Sequence, residues 1–487
     1  MRAMSRSILA IDQGTTNSKA FLLDEAGRIV ARASRPMTVT HPRAGWAELD
    51  SAGIWQTVHE TIDEVAQGRD IAAIAISNQR ESILLWEADT GKPVGPCVIW
   101  QCRRSSDACA LLREHGHEAM IVEKSGLGVD PLFPAAKLAW LLDNLPGARE
   151  RAERGELRAG TVDSWLLWNV TGGAAHATDA SNASRTQLMN IDTLRWDAEL
   201  ADLFRVPLSL LPTIRVSDSL FGHTAEGATA LKAGVPIHAM MGDSHAALFG
   251  HGIDRPGRIK ATLGTGSSLM AVTGARAHST HGLSETIAWA RPAEIRYALE
   301  GNISVSGQAA AFATTLLNLK DERALTRLAG KVTDNGGVVF VPALAGLGAP
   351  HWKDRARGQI TGMTLATEPA HIARAALEAI ALQIRDVFVA MEADLGAELS
   401  DISVDGGAAA SDMLMQLLAD LLNRPVRRPV VTEVTALGVA RMAAEALELW
   451  DEKSEDGHSV FMPKMDQAAR TTILSQWYAA IEKAKQE

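Results

Sequence analysis

Apolar and polar positions change rhythm repeatedly along this chain. Apolar runs of strand length alternate with longer segments whose apolar residues recur three and four apart. The first run, Ser7–Asp12, ends in the polar turn Gln13–Asn17; Lys19–Asp24 follows, then the turn Glu25–Gly27, then Arg28–Ala33. Strand, turn, strand, turn, strand predicts an antiparallel meander and not a βαβ unit. The second half begins the same way, with Arg258–Leu263 running into Gly264–Ser268 and Leu269–Thr273 returning. A helix and then a strand come after each meander. They are Ile54–Ala66 with Ile71–Ser77 in the first half, and Ile372–Leu395 with Ile402–Asp405, ending at Gly406-Gly407, in the second. Two halves with one order of elements predict a duplicated α/β architecture with a ligand cleft between the copies. The boundary is expected just past Gly250-His251-Gly252, giving domains of residues 1–252 and 253–487. A charged tail begins near Asp451 and ends in a helix-like stretch, Thr471–Lys485.

Composition narrows the partners. A chain of 487 residues exceeds one ordinary core and suits two. A net charge of −10 argues against a nucleic-acid surface, which needs a positive field. An anionic ligand then has to be held locally, by backbone amides, hydroxyls and a metal ion. No apolar run approaches the roughly 20 residues that span a bilayer, so no membrane partner is expected. The basic start, Met1–Ser7, precedes an apolar stretch broken at Asp12, too short for a signal core. Cys97, Cys102 and Cys109 form no Cys-x-x-Cys pair and read as reduced thiols of a cytoplasmic protein.

The common phosphate motifs are missing. No Gly-x-x-x-x-Gly-Lys-Ser/Thr occurs, since Gly91-Lys92 runs into Pro93, and no Gly-x-Gly-x-x-Gly follows the first strand. The two Gly/Thr turns remain. Glycine lets a backbone approach closely, bare amides make an anion-binding concavity, and hydroxyls add donors. Asp12, at the tip of the first strand, could order a hydrated Mg²⁺. Alone, Gly14-Thr15-Thr16 is no more than a hairpin turn. Its repetition as Gly264-Thr265-Gly266, with Gly406-Gly407 nearby in the pattern, points to a nucleotide clamp.

At Asp12-Gln13-Gly14-Thr15-Thr16-Asn17-Ser18-Lys19 the sequence resembles the first phosphate loop of the FGGY carbohydrate kinases, glycerol kinases among them, in the superfamily of actin and hexokinase. Ser77–Glu81, Ile99–Arg104, Gly160–Trp165 and Asn182–Thr186 are similar to that family's polyol-binding segments, and Gly346–Pro350 and Val434–Gly438 to segments of its second half. Gly358-x-Ile360-x-Gly362-Met363, seven residues, then His371-Ile372-x-x-Ala375-Ala376-Leu377-Glu378 meets the second family signature at every fixed position. The first signature, around Phe133–Asn144 with Lys137 and Trp140, is present but opens on Leu132, outside the accepted set.

The resemblance implies two actin-like (ribonuclease H-like) domains, an interdomain catalytic cleft, ATP and Mg²⁺ as cofactors, and a homo-oligomer, dimer or tetramer. It implies that Thr15, Thr16, Asn17 and Lys19 contact the β- and γ-phosphates and that Asp12 orders the hydrated metal. Thr265, between Gly264 and Gly266, would hold phosphates, and Gly307, Ala311, Gly407 and Ser411 would line the adenosine site. The family commonly has Gln near Ala311 and Asn at Ser411, so base contacts are expected to differ. Arg80, Glu81 and Trp100 would hold the substrate, with Asp243 as general base beside the metal. Chemistry agrees, because phosphoryl transfer needs a carboxylate to accept the hydroxyl proton. Asp243 lies between a strand-like Ile237–Met241 and a helix-like His245–Phe249, where the alternative role is a helix cap. For Arg80 and Glu81 the alternative is a surface ion pair, which alternation along a strand disfavours.

Leu132, Ser244 and Ser268 stand where glycerol kinases place Tyr, Gln and Phe, and His245 replaces a further Gln. Smaller, hydroxylic groups predict a larger, more polar pocket, which leaves two substrates open: glycerol, or a four- or five-carbon polyol or ketose. The loop Ala225–Gly234 shows no allosteric sugar-bisphosphate pattern, and His223 sits in a non-regulatory Gly-His-Thr. A non-enzymatic ATP-driven module like actin or the heat-shock ATPases would share the two hairpins but not Gln79–Glu81 or Trp100-Gln101.

Overall fold

The computed structural model describes Ser7–Trp450, apart from Asp354, and Gly457–Gln486. The basic start up to Arg6 and the first six residues of the charged tail lie outside the described residues. By internal contacts the chain forms two units. One holds the chain up to Gly252, Thr286–Tyr297 and the stretch from Glu433; the other holds Ile253–Glu285, Ala298–Thr432 and the C-terminal helix.

The first unit is organised by a six-stranded sheet in the order Leu220–His223, Pro236–Gly242, Ala73–Asn78, Ile8–Gln13, Asn17–Leu23, Ile29–Pro36. The last three strands are the expected meander. Ala73–Asn78 is buried along its whole length, as a central parallel strand covered on both faces must be. The register decides where chemistry can sit. Gln13 pairs with Asn78, and Asn78 with Gly242, so three parallel strands end level and release their chains at one edge. The helix Ser51–Ala66 starts where the Asp50 carboxylate accepts from the Ala52 amide, and it buries Ile54, Val58, Ile62 and Val65. The helix Asp243–Gly250 crosses Val434–Ala446 so closely that a methyl on Gly250 would strike the Val434 carbonyl, and one on Gly438 the Ala246 carbonyl.

The second unit repeats the plan. Six strands of its sheet run Glu294–Ile303, Ser267–Thr273, Arg258–Leu263, Asp401–Asp405, Val426–Pro429, His458–Phe461, with Ser284–Arg291 beyond the first. Arg258–Leu263 is antiparallel to Ser267–Thr273 and parallel to Asp401–Asp405, as Ile8–Gln13 is to its two neighbours. The long helix expected over Ile372–Leu395 spans Pro369–Leu395, and the terminal one Gln467–Ala484. The molecule is an α/β protein of two similar units.

Candidate active site

In the first unit the turn after Ile8–Gln13 is closed by the Gly14 amide, which donates to the Asn17 carbonyl at 2.9 Å. Thr15 Oγ1 accepts from the Trp100 indole at 2.9 Å and donates to Gln79 Oε1 at 3.3 Å; Gln79 Nε2 is tied to Gln13 Oε1 at 3.0 Å. Thr16 is exposed, and Asn17 Nδ2 donates to its hydroxyl at 3.2 Å. Lys19 Nζ lies 3.0 Å from Glu433 Oε2. Asp12, opposite Lys19 in the ladder, has its pKa raised to about 7. Burial is the main cause; Lys19 opposes it, and the charges of Asp243 and Glu433 add to it.

Arg80 and Glu81 are not on a strand. Ala73–Asn78 ends two residues earlier, and Glu81 takes a left-handed φ of 59° in the bend leading to Ile83–Glu87. The alternation argument against a local pair therefore does not apply, and Arg80 Nη1 lies 3.9 Å from Glu81 Oε1. Both residues are buried. Arg185 Nε donates to Glu81 Oε1 at 2.7 Å, and Arg80 Nε lies 3.2 Å from Asp243 Oδ1. Asp243 is the first residue of its helix, with Gly242 as the cap; its carboxylate accepts from the Ser244 amide at 2.5 Å. Gly242 must lack a side chain, since a Cβ there would come within 2.6 Å of Arg80 Cγ and 2.9 Å of His245 Nδ1.

The strand ends are locked by Asn182. Asn78 and Asn182 exchange amide hydrogen bonds at 3.0 Å, and Ser181 Oγ accepts from the Gly242 amide at 3.0 Å. Asp179 accepts from the Ser181 and Asn182 amides, both at 2.9 Å. Leu132 is half-buried, with its amide donated to Asp130; Ser244 and His245 are buried, the latter 3.1 Å from Thr286 Oγ1.

The second unit carries a cavity of about 1020 Å³ lined by Gly264, Thr265, Gly307, Ala311, Gly407 and Ser411. It thus gathers most of the residues expected around a nucleotide. The Ser306 and Gln308 amides donate to the Thr265 carbonyl at 3.0 and 3.1 Å, and the Gly307 amide to that of Gly264 at 3.0 Å. A Cβ on Gly266 would meet the Ile303 carbonyl at 2.5 Å, and one on Gly307 the Gly264 carbonyl at 2.5 Å. Ser411 caps the helix Asp412–Leu422 by accepting from the Leu414 amide. Glu322, Arg323 and Arg327 form a wall that no sequence pattern indicated. Ser268 donates to the fully buried Glu300 at 2.7 Å, so its proton is already committed.

The sequence profile of the N-terminal domain of the FGGY family of carbohydrate kinases matches residues 7–250, and that of the C-terminal domain matches 259–447. The chain belongs to the FGGY family of carbohydrate kinases. It is 44% identical over 489 residues to glycerol kinase 2 of Thermotoga maritima, covering 98% of each chain. To the glycerol kinase of Alkaliphilus metalliredigens it is 43% identical over 493 residues, covering 99% of this chain and 98% of the relative. The crystal structure of Plasmodium falciparum glycerol kinase with ADP shares the fold with a TM-score of 0.92 at 32% identity, over 98% of both chains. Xylulose kinase from Lactobacillus acidophilus shares it at 0.89 and 24% identity, again over 98% of both.

In this FGGY kinase Lys137 was marked by its sequence only as a position of the family signature, and neither Glu433 nor Arg185 was singled out. Arg185 and Lys137 lay inside quoted motifs, and Glu433 directly precedes one. Their signal was burial and pairing, which spacing does not carry.

Proposed function

We propose that this kinase transfers the γ-phosphoryl group of ATP to a terminal hydroxyl of glycerol. The observation that carries the reading is the convergence of Arg80, Glu81 and Asp243 where three parallel strands end. The relatives 43 and 44% identical to it over nearly the full length are glycerol kinases, which favours glycerol over the longer polyols and ketoses. The commitment of the Ser268 proton to Glu300 also weakens the case for a site enlarged to donate to further oxygens.

In this reading Arg80, Glu81 and Trp100 orient the polyol, with Leu132 and Ser244 beside them in the first unit. Asp243 accepts the hydroxyl proton as the oxygen bonds to phosphorus and the bond to the β-phosphate oxygen breaks. Thr15, Thr16, Asn17 and Lys19 hold phosphates in the first domain, residues 1–252. Gly264, Thr265 and Gly266 hold them in the second, 253–487, where Gly307, Ala311, Gly407 and Ser411 take adenosine. Mg²⁺ fits the first unit because burial raises the pKa of Asp12 and the charges of Asp243 and Glu433 add to it, a repulsion that a cation relieves. Among the described residues no cluster of three metal-ligating side chains occurs, which suits an ion held through water and phosphate by Asp12 and Asp243. Bound there, the ion supplies charge compensation to the moving phosphoryl group. No helix among the described residues is long and apolar enough to cross a membrane. We place the protein in the cytoplasm, where its three buried thiols stay reduced, and expect a homo-oligomer.

A coupled ADP-release assay across glycerol, erythritol, erythrulose, xylitol, ribitol, xylulose and ribulose tests the substrate. Glycerol should give the highest kcat/KM; a longer compound that exceeds it overturns the assignment. A second expectation concerns pH. The folded Asp12 carboxyl holds its proton more tightly than its ordinary value of 3.8 allows, so its contribution to stability is full below that value and fades as pH rises through about 7. Ionisation is also what a cation needs. The apparent affinity for Mg²⁺ should therefore rise between pH 6 and 8, and Asp12→Asn should flatten that rise. An equally steep rise in the variant would assign the titration elsewhere.

A further inference from the structure

Lys137 is fully buried on the helix Pro134–Asn144, yet its ammonium points at two backbone carbonyls. Nζ donates to the Glu81 carbonyl at 2.7 Å and to the Ile99 carbonyl at 3.2 Å. These acceptors belong to separate segments, the bend that carries Arg80 and Glu81 and the one that leads into Trp100. A buried charge is costly and persists only when well paired.

The Glu81 backbone explains why such a strut is needed. A non-glycine residue at a φ of 59° is strained, and such strain survives only where its surroundings over-determine it. Arg185 fixes Glu81 from the side chain, and Lys137 fixes it from the main chain. On the other segment, the Trp100 amide donates to Ser82 Oγ at 3.3 Å, and its indole to Thr15 at 2.9 Å. Lys137 thus clamps together the two pieces of chain that present Glu81 and Trp100. Burial lowers its pKa to about 8, with the Glu81 charge opposing. Either protonation state keeps enough N–H groups for both carbonyls, so the clamp holds across the working pH range.

We propose that Lys137 is a positioning residue for the polyol: it touches no substrate itself, and it sets the separation of Glu81 and Trp100 through their backbones. The proposal rests on the reading that those two residues hold the polyol. Methionine replaces most of the lysine stem, one atom shorter, and donates nothing. Lys137→Met should raise the KM for the polyol at least about tenfold while the KM for ATP changes less than about threefold, because Thr16, Asn17 and Lys19 are not clamped. Lys137→Gln, which can still donate to one carbonyl, should fall between wild type and Lys137→Met, and it carries the test alone if the methionine variant does not fold. Melting curves accompany the kinetics. A lowered melting temperature with both KM values unchanged makes Lys137 a packing residue and overturns the proposal. Glu81→Gln is measured alongside. If it leaves the polyol KM unchanged, the site reading fails and the proposal with it; if it moves that KM and neither Lys137 variant does, only the proposal fails.

Discussion

Asp243→Asn should retain ATP binding and lose at least about 100-fold in turnover, within the 10²–10⁴ that a positioned general base contributes. The substitution is close to isosteric. The amide oxygen can still accept from the Ser244 amide, and the helix Asp243–Gly250 remains fixed against Val434–Ala446. What disappears is the basic oxygen able to take the hydroxyl proton, and that is needed only during transfer. The loss should therefore appear in kcat. A modest rise in the polyol KM should accompany it, because Arg80 keeps Glu81 as a charged neighbour but loses Asp243. Calorimetric titration with an ATP analogue separates binding from chemistry. A variant with near-normal turnover would remove Asp243 from the mechanism and leave it a helix-starting residue.

How much of this site could be read in advance follows from what spacing encodes. The meander Ile8–Pro36 and the second one from Arg258 were legible because apolar alternation broken by Gly/Thr turns has one local solution. The long helix over Ile372–Leu395 was legible because its apolar residues recur three and four apart, missing only its first turn, where Glu368 and His371 form a capping box outside the apolar pattern. Asp12 and the Gly264–Gly266 turn drew notice by their place at strand ends, whereas Asp243 came from the family resemblance, with its place between a strand and a helix in agreement. By contrast, Arg80 and Glu81 were placed on a strand that had already stopped, since a left-handed φ at a glutamate leaves no trace in hydropathy. Glu433 meets Lys19 across more than 400 positions of sequence, a pairing that only the sheet and the returning helix create. The same holds for Thr286–Tyr297, which belongs by its contacts with the first unit although it lies in the second half of the chain.

Arg185→Met should cost about 3–5 kcal/mol of stability, the range for breaking a buried ion pair from one side. Arg185 is fully buried, donates to Glu81 at 2.7 Å and lies over the Phe133 ring at 5.2 Å. Methionine keeps much of the packing against Phe133, so the lost free energy reports mainly on a Glu81 carboxylate left without its nearest cation. Arg80 stays 3.9 Å away and offsets part of the loss, which favours the lower end of the range. The double change Glu81→Met with Arg185→Met separates pairing from packing. Replacing both partners with apolar groups of similar volume removes the orphaned charge, so the double variant should be more stable than Arg185→Met alone. Urea unfolding followed by tryptophan fluorescence gives both midpoints. If Arg185→Met unfolds with the wild type, the pair contributes nothing to folding; if the double variant is the less stable of the two, the loss lies in packing. Polyol affinity should fall in both, because the double variant regains stability without regaining the carboxylate. Stability and substrate binding then part company at one residue pair, as expected where buried charge is kept for function.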